Sequence, residues 1–193
     1  RDMTRLQAKN GVEVLYVPNK TNDIFMLTYV YETGSDVDSL LTYAPELMNF
    51  VRTPDMTAEQ IKNEFYKLAC DYSFRVGARR SYATLSGLSE NMDKAAALFE
   101  KVLANAEIPA DALAAYADRV EKARADQKHN QSANFSRLAQ YVVYGPKNYS
   151  TVTLTPDQLR SIAPAKFVDA LRDLNKYEQT VVYWGKAPAK DVV

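Results

Sequence analysis

Residues 24–31, Ile-Phe-Met-Leu-Thr-Tyr-Val-Tyr, constrain the fold of this chain more than any other stretch. The run is β-prone throughout and shows little alternation of apolar and polar positions. That is the pattern of a strand covered on both faces or nearly so, and it places the run centrally in a sheet. Just upstream, Leu6-Gln7-Ala8 and residues 12–17 flank Lys9-Asn10-Gly11, and Asn-Gly between two apolar runs signals a hairpin. The chain therefore begins as three strands.

Gly34-Ser35-Asp36 stops the third strand. A cap at Ser35 or Asp36 would then start a helix carrying Leu40, Leu41, Leu47, Met48 and Phe50, a helix that Pro45 must perturb. Thr57-Ala58-Glu59-Gln60 is a capping box, and Ile61, Phe65 and Leu68 come after it at helical spacing. Residues 72–76 and 82–88 read as a hairpin joined near Gly77-Ala78-Arg79-Arg80. Residues 91–103, 110–128 and 133–144 read as helices, the second with a charged face of Asp118, Arg119, Glu121, Lys122, Arg124 and Asp126. Thr155-Pro156-Asp157-Gln158 starts a short helix through a second capping box, residues 165–174 form the last helix, and residues 178–184 a final strand. Helices in runs between groups of strands predict an α+β fold with an antiparallel or mixed sheet, and residues 1–185 form one domain.

The charges balance, 24 Lys and Arg against 24 Asp and Glu. A chain without net charge has no long-range field for gathering polyanions, which argues against nucleic acid or an anionic membrane as partner. No apolar stretch approaches the roughly 18–20 residues of a membrane span. The start, Arg1-Asp2-Met3-Thr4, lacks the layout of a signal peptide, and residues 186–193 read as a linker, as in a domain excised from a longer chain. A single cysteine forbids an internal disulfide. A single histidine forbids a zinc site built on two or three imidazoles of this chain.

Few residues offer chemistry. His129 lies in a polar run at a helix end and reads as a solvated terminus rather than a catalytic base. Cys70 closes an amphipathic helix and reads as a buried small hydrophobe rather than a reactive thiol. Asp36-Val37-Asp38 opens like a calcium loop, but Leu41 and Leu47 stand where glycine and the final acid belong, so capping is the better reading. Arg79 and Arg80 beside Tyr82 could hold a carboxylate or a phosphate, or grip a peptide or nucleic acid, against the plainer reading of a polar turn. The 13 tyrosines suit core-edge packing, with an interface as the other use.

The order of features from Asn10 onward resembles a repeat of the insulinase/pitrilysin-type (M16) zinc metallopeptidases. It comprises Asn10-Gly11-Val12-Glu13-Val14-Leu15-Tyr16-Val17-Pro18-Asn19, a strand ending in Gly34-Ser35, Phe50-Val51-Arg52-Thr53, Thr57-Ala58-Glu59-Gln60-Ile61 and Leu85-Ser86-Gly87-Leu88. Tyr144-Gly145-Pro146-Lys147-Asn148 and Val181-Val182-Tyr183-Trp184-Gly185 continue it to the end of the chain. The resemblance implies an α+β repeat of a clamshell, with helices mainly on one face of the sheet. It also sets the family's inverted zinc motif, His-x-x-Glu-His, on Tyr43-Ala44-Pro45-Glu46-Leu47. Both histidine positions are lost, and Glu46, matching the general base, has no metal-bound water to activate. The expectation is a catalytically silent repeat, most like the first repeat of the inactive half in envelope-associated bacterial members. It would bind no metal or cofactor itself, zinc being held by the catalytic repeat of the parent. Its partners would be other repeats or a catalytic subunit, with a substrate peptide at an exposed sheet edge, and its location periplasmic or cell-envelope associated. Two other readings stand beside it: a free-standing degenerate-peptidase binding module, and an unrelated enzyme using Arg79 and Arg80 with a carboxylate such as Glu46 or Asp71.

Overall fold

The computed structural model describes residues 3–146 and 153–192. Six strands, β1 (Thr4–Gln7), β2 (Glu13–Pro18), β3 (Ile24–Tyr31), β4 (Cys70–Val76), β5 (Ser81–Leu88) and β6 (Gln179–Gly185), form one sheet in the order β1-β2-β6-β3-β5-β4. Neighbours run antiparallel except β2 and β6, which are parallel, so the sheet is mixed. The helices are α1 (Ala44–Leu47), α2 (Ala58–Lys67), α3 (Met92–Asn105), α4 (Ala110–Lys128), α5 (Gln131–Tyr144), α6 (Pro156–Ser161), α7 (Ala165–Arg172) and α8 (Ala189–Val192). This is the expected α+β architecture.

The period-2 geometry of a strand sends alternate side chains to opposite faces. Phe25, Leu27, Tyr29 and Tyr31 of β3 share a face with Val14, Leu85 and Tyr183, and the helices cover that face; Phe25 and Tyr183 are fully buried. The other face carries Leu15, Val17, Ile24, Met26, Val182 and Trp184, none of which joins the buried core. Ile24 and Met26 remain 44% and 46% exposed. The β3 run is therefore interior to the sheet, as expected, but it is not covered on both faces. Its second apolar face is bare.

The segment after β3 also departs from expectation. Asp38, rather than Ser35 or Asp36, is the cap, its carboxylate accepting the Leu40 N–H at 2.8 Å. One helix is replaced by three short turns, Ser39–Thr42, α1 and Met48–Phe50. Pro45 does not kink a longer helix. It sits in the first turn of α1, where its missing N–H leaves no intrahelical bond unmade. Both capping boxes form as read, Thr57 with Gln60 and Thr155 with Gln158. Residues 186–192, read as a linker, are packed on the domain. The Tyr16 hydroxyl donates to the Ala187 carbonyl at 3.0 Å, the Ala187 N–H donates to the Tyr183 hydroxyl at 2.9 Å, and Lys186 pairs with Asp23.

Helix α2 turns into β4 through Ala69, which takes the left-handed conformation at φ 48°, a region that suits glycine far better than alanine. Its carbonyl is met by β5 at Gly87, φ 152°, where an added Cβ would come within 2.4 Å of the Ala69 oxygen.

This packing has two measurable consequences. Ala69→Gly should raise stability against urea by about 0.5–1 kcal/mol, and Gly87→Ala should lower it by more than about 2 kcal/mol; an unchanged urea midpoint for both contradicts the junction. Burial pushes the phenols of Tyr31 and Tyr72 up to about 12 from 10.0. A pKa raised on folding gives stability that is whole below pH 10 and is lost as pH climbs toward 12. Tyrosinate absorbance and circular dichroism should therefore change together across that window, and ionisation of these two phenols in the intact fold contradicts it.

Candidate functional site

The motif positions fall on the α1 turn, and packing dictates what each can do. Tyr43 is 5% exposed and Leu47 fully buried, because both lie under the helical layer that covers the sheet. The Tyr43 ring meets Tyr116 of α4 edge-on, with centroids 6.5 Å apart. Its hydroxyl accepts the Leu154 N–H at 3.0 Å and Arg124 Nη2 at 3.4 Å, and Arg124 Nη1 donates to the Leu154 carbonyl at 2.7 Å. One phenol thus ties the motif turn to α4 and to the strap leading into α6.

Glu46 lies at the surface of the same turn, its carboxylate accepting Arg119 Nη2 at 2.6 Å. The Arg119 guanidinium also lies over the rings of Tyr116 and Phe50, at 5.2 and 5.8 Å from their centroids. Burial, reinforced by the Glu46 charge, raises the Tyr116 phenol above its ordinary value. The turn therefore presents a carboxylate paired with Arg119, a buried phenol committed to Leu154 and Arg124, and an aliphatic side chain. Among the described residues no three of His, Cys, Asp and Glu gather closely enough to hold a metal ion.

The sequence places Arg119 and Arg124 on a charged helix face and assigns neither to the motif turn. Each lies on α4, which is distant from the motif in sequence, and only the packing of α4 against the α1 turn brings them to Glu46 and Tyr43. No local signal in the sequence separates them from the other charges of that face.

The other candidates scatter. Arg80 Nε donates to Glu32 Oε2 at 2.9 Å, and the turn that carries it is clamped by the loop after β3: Ser35 N–H donates to the Gly77 carbonyl and Asp36 N–H to that of Ala78. Gly34 is needed there, since a Cβ would lie 2.2 Å from the Gly77 oxygen. Arg79 has no side-chain partner among the described residues. Tyr82 stands near enough to Arg80 for its charge to add to that of Glu32 in raising the Arg80 guanidinium, and its ring receives the Arg75 guanidinium at 4.5 Å on the bare face of the sheet. Asp71 stands near the opposite end of β4, roughly 17 Å of strand from Val76 and the turn beyond it, and Glu46 belongs to the helical layer. Arg79, Arg80, Asp71 and Glu46 thus form no shared cleft. Cys70 is buried, its thiol raised by desolvation and donating to the Leu68 carbonyl at 3.3 Å. His129 caps the end of α4 in solvent. Lys147 and Asn148 lie outside the described residues.

Beside β4, an outermost strand of the sheet, Pro45, Met48, Ile61, Lys62, Tyr72 and Phe74 help line a hollow of about 190 Å³. On the edge itself the Asp71 carboxylate takes the Tyr72 N–H at 2.8 Å.

Comparison with known proteins finds likeness in shape and none in sequence. No profile of a known family matches the sequence, and no curated protein matches it by sequence. Solved structures do match in shape. The periplasmic protease PqqL of Escherichia coli superposes with a TM-score of 0.81 at 16% identity, over 99% of this chain and 22% of its own. An inactive domain of peptidase M16 from Pseudomonas fluorescens gives 0.80 at 18% identity, over 100% of this chain and 48% of its own. The ferredoxin protease FusC, solved with Arabidopsis ferredoxin, gives 0.80 at 13% identity, over 99% and 22%. The chain has the fold of an M16 peptidase repeat, and it spans between about a fifth and a half of the length of these neighbours.

Tyr43→Phe should cost about 1–3 kcal/mol, since it strips the Leu154 N–H and one guanidinium nitrogen of their acceptor, and Leu154 amide exchange should accelerate. Glu46→Gln should change stability by less than about 1 kcal/mol, as expected of a solvent-exposed ion pair. Equal costs for the two contradict the buried tie.

Proposed function

We propose that this chain is a catalytically silent repeat of an M16-type peptidase, serving as scaffold and chamber wall for catalytic repeats elsewhere in a larger assembly. The observation that carries the reading is the state of the motif turn. A phenol committed to Leu154 and Arg124 and a buried leucine stand where the family places its zinc ligands, and Arg119 neutralises the carboxylate that would serve as base. Zinc needs electron-pair donors converging on an open position. A guanidinium and an aliphatic side chain offer none, so these residues do not fit the metal, and no hydrolytic step is assigned to them. Zinc belongs to the catalytic repeat of the parent.

The bare apolar face of the sheet suits a wall packed against, or facing, other repeats, and the β4 edge with its hollow suits an added strand of substrate peptide. The inactive M16 domain from Pseudomonas fluorescens supports the non-catalytic reading, and the periplasmic neighbour supports a place in the bacterial cell envelope. No helix of the described residues is long and apolar enough to cross a membrane. Helix α5 leaves Phe135, Leu138, Val142 and Tyr144 between 59% and 75% exposed. That surface favours a repeat embedded among others over a free-standing module.

Incubated with fluorogenic peptides and added zinc, the domain should show no turnover above buffer, and Glu46→Ala should leave that baseline where it is. Turnover that co-purifies with the domain and disappears in Glu46→Ala would falsify the proposal.

A further inference from the structure

A second feature lies on the covered side of the sheet, away from both the motif turn and the β4 edge. Helix α3 does not close fully onto the strands beneath it. Two adjoining cavities, about 210 and 140 Å³, run between α3 and the sheet and share Leu27, Tyr29 and Ala96 as walls. Val14 and Val181 floor the larger one, and Val192 of α8 forms part of its lip; Leu85, Phe99 and Leu103 line the smaller.

The charges at the rim all have one sign. Asp93 and Glu100 lie seven residues apart, two turns of α3, and so stand on one helix face, with Asp93 at the larger cavity and Glu100 at the smaller. Asp191 of α8 stands at the far lip of the larger cavity. All three are exposed, and among the described residues none is in an ion pair, although twelve such pairs join charges elsewhere on the surface. No lysine or arginine lines either cavity. The negative potential also reaches the floor, where the Glu100 charge adds to burial in raising the Tyr29 phenol.

An apolar trough with an unpaired acidic rim selects its occupant. A purely apolar segment would leave three carboxylates unanswered at its edge, and an acidic one would be repelled. The geometry points to a docking groove between α3 and the sheet for an extended segment of another polypeptide, with one large apolar side chain in each cavity and lysine or arginine flanking them against Asp93, Glu100 and Asp191. The amides of Asn10 and Gln179, which also border the larger cavity, are placed to hydrogen-bond the main chain of such a segment. The groove goes beyond the scaffold role proposed above and does not depend on it.

The test uses the full chain, isotopically labelled, and three synthetic peptides: Gly-Arg-Leu-Ser-Leu-Arg-Gly, the same peptide with glutamate for arginine, and the same with alanine for leucine. Titration followed by amide chemical shifts should move Tyr29, Ala96 and Val181 with the first peptide alone. Affinity should fall about threefold to fivefold in Asp93→Asn/Glu100→Gln, the scale of two exposed charge pairs, and should also fall from low to physiological salt. Both substitutions are at exposed positions, and an unchanged thermal midpoint confirms that the variant folds. Equal binding of the arginine and glutamate peptides, shifts confined to the bare face or the β4 edge, self-association of the chain through these residues, or no shift at millimolar peptide each overturns the proposal. A domain that proved to be a zinc peptidase would leave this result intact.

Discussion

Strand β6 closes the fold. It enters between β2 and β3, parallel to one and antiparallel to the other, and so joins residues near the two ends of the described chain, Glu13 opposite Thr180 and Pro18 opposite Gly185. Without it the sheet would divide into the β1-β2 hairpin and the β3-β5-β4 meander, and Tyr183, fully buried and stacked on Tyr16 at 5.6 Å, would leave the core open. Closing so long a loop adds only about 0.6 kcal/mol per doubling of its length, so the penalty falls on folding rate more than on stability. The same strand anchors the C-terminal segment, since the Tyr183 hydroxyl accepts the Ala187 N–H and holds that segment against the sheet.

Because every helix that covers the sheet covers one side, the molecule has two different surfaces. The covered side fixes the α1 turn, and with it Tyr43 and Leu47, inside the core; the uncovered side exposes a band of aliphatic and aromatic residues across four strands. The proposed role uses both: one side has closed the place where a metal would sit, and the other offers a wall. The acid-rimmed groove adds a third surface, generated where α3 stands off from the strands.

Much of this was legible in the sequence for local reasons. The capping boxes at Thr57 and Thr155, the Asn10-Gly11 turn and the full span of β3 were readable because each depends on neighbours a few residues away. The bare face was not readable. A continuous apolar run records that a side chain is shielded from water, not whether its shield is a helix of this chain or another domain. The residues 35–50 segment was misread because helical spacing of its leucines is equally served by three short turns, and Pro45 fits the first turn of a helix as well as it breaks one. At the candidate site the sequence showed that a single histidine leaves Tyr43 and Leu47 without imidazoles. The contacts that close the turn were not readable there, because Arg119 reaches Glu46 across 73 residues, Arg124 reaches Tyr43 across 81, and Leu154 reaches Tyr43 across 111.

The claim at the centre of this account is that the α1 turn has lost its metal. Elemental analysis of the purified domain, with a calorimetric zinc titration on the same sample, tests it most directly. The account predicts no stoichiometric zinc and no saturable heat. Tight one-to-one zinc that is abolished by His129→Ala and survives Glu46→Ala would contradict it and would mean that a metal site lies on residues other than Tyr43, Glu46 and Leu47.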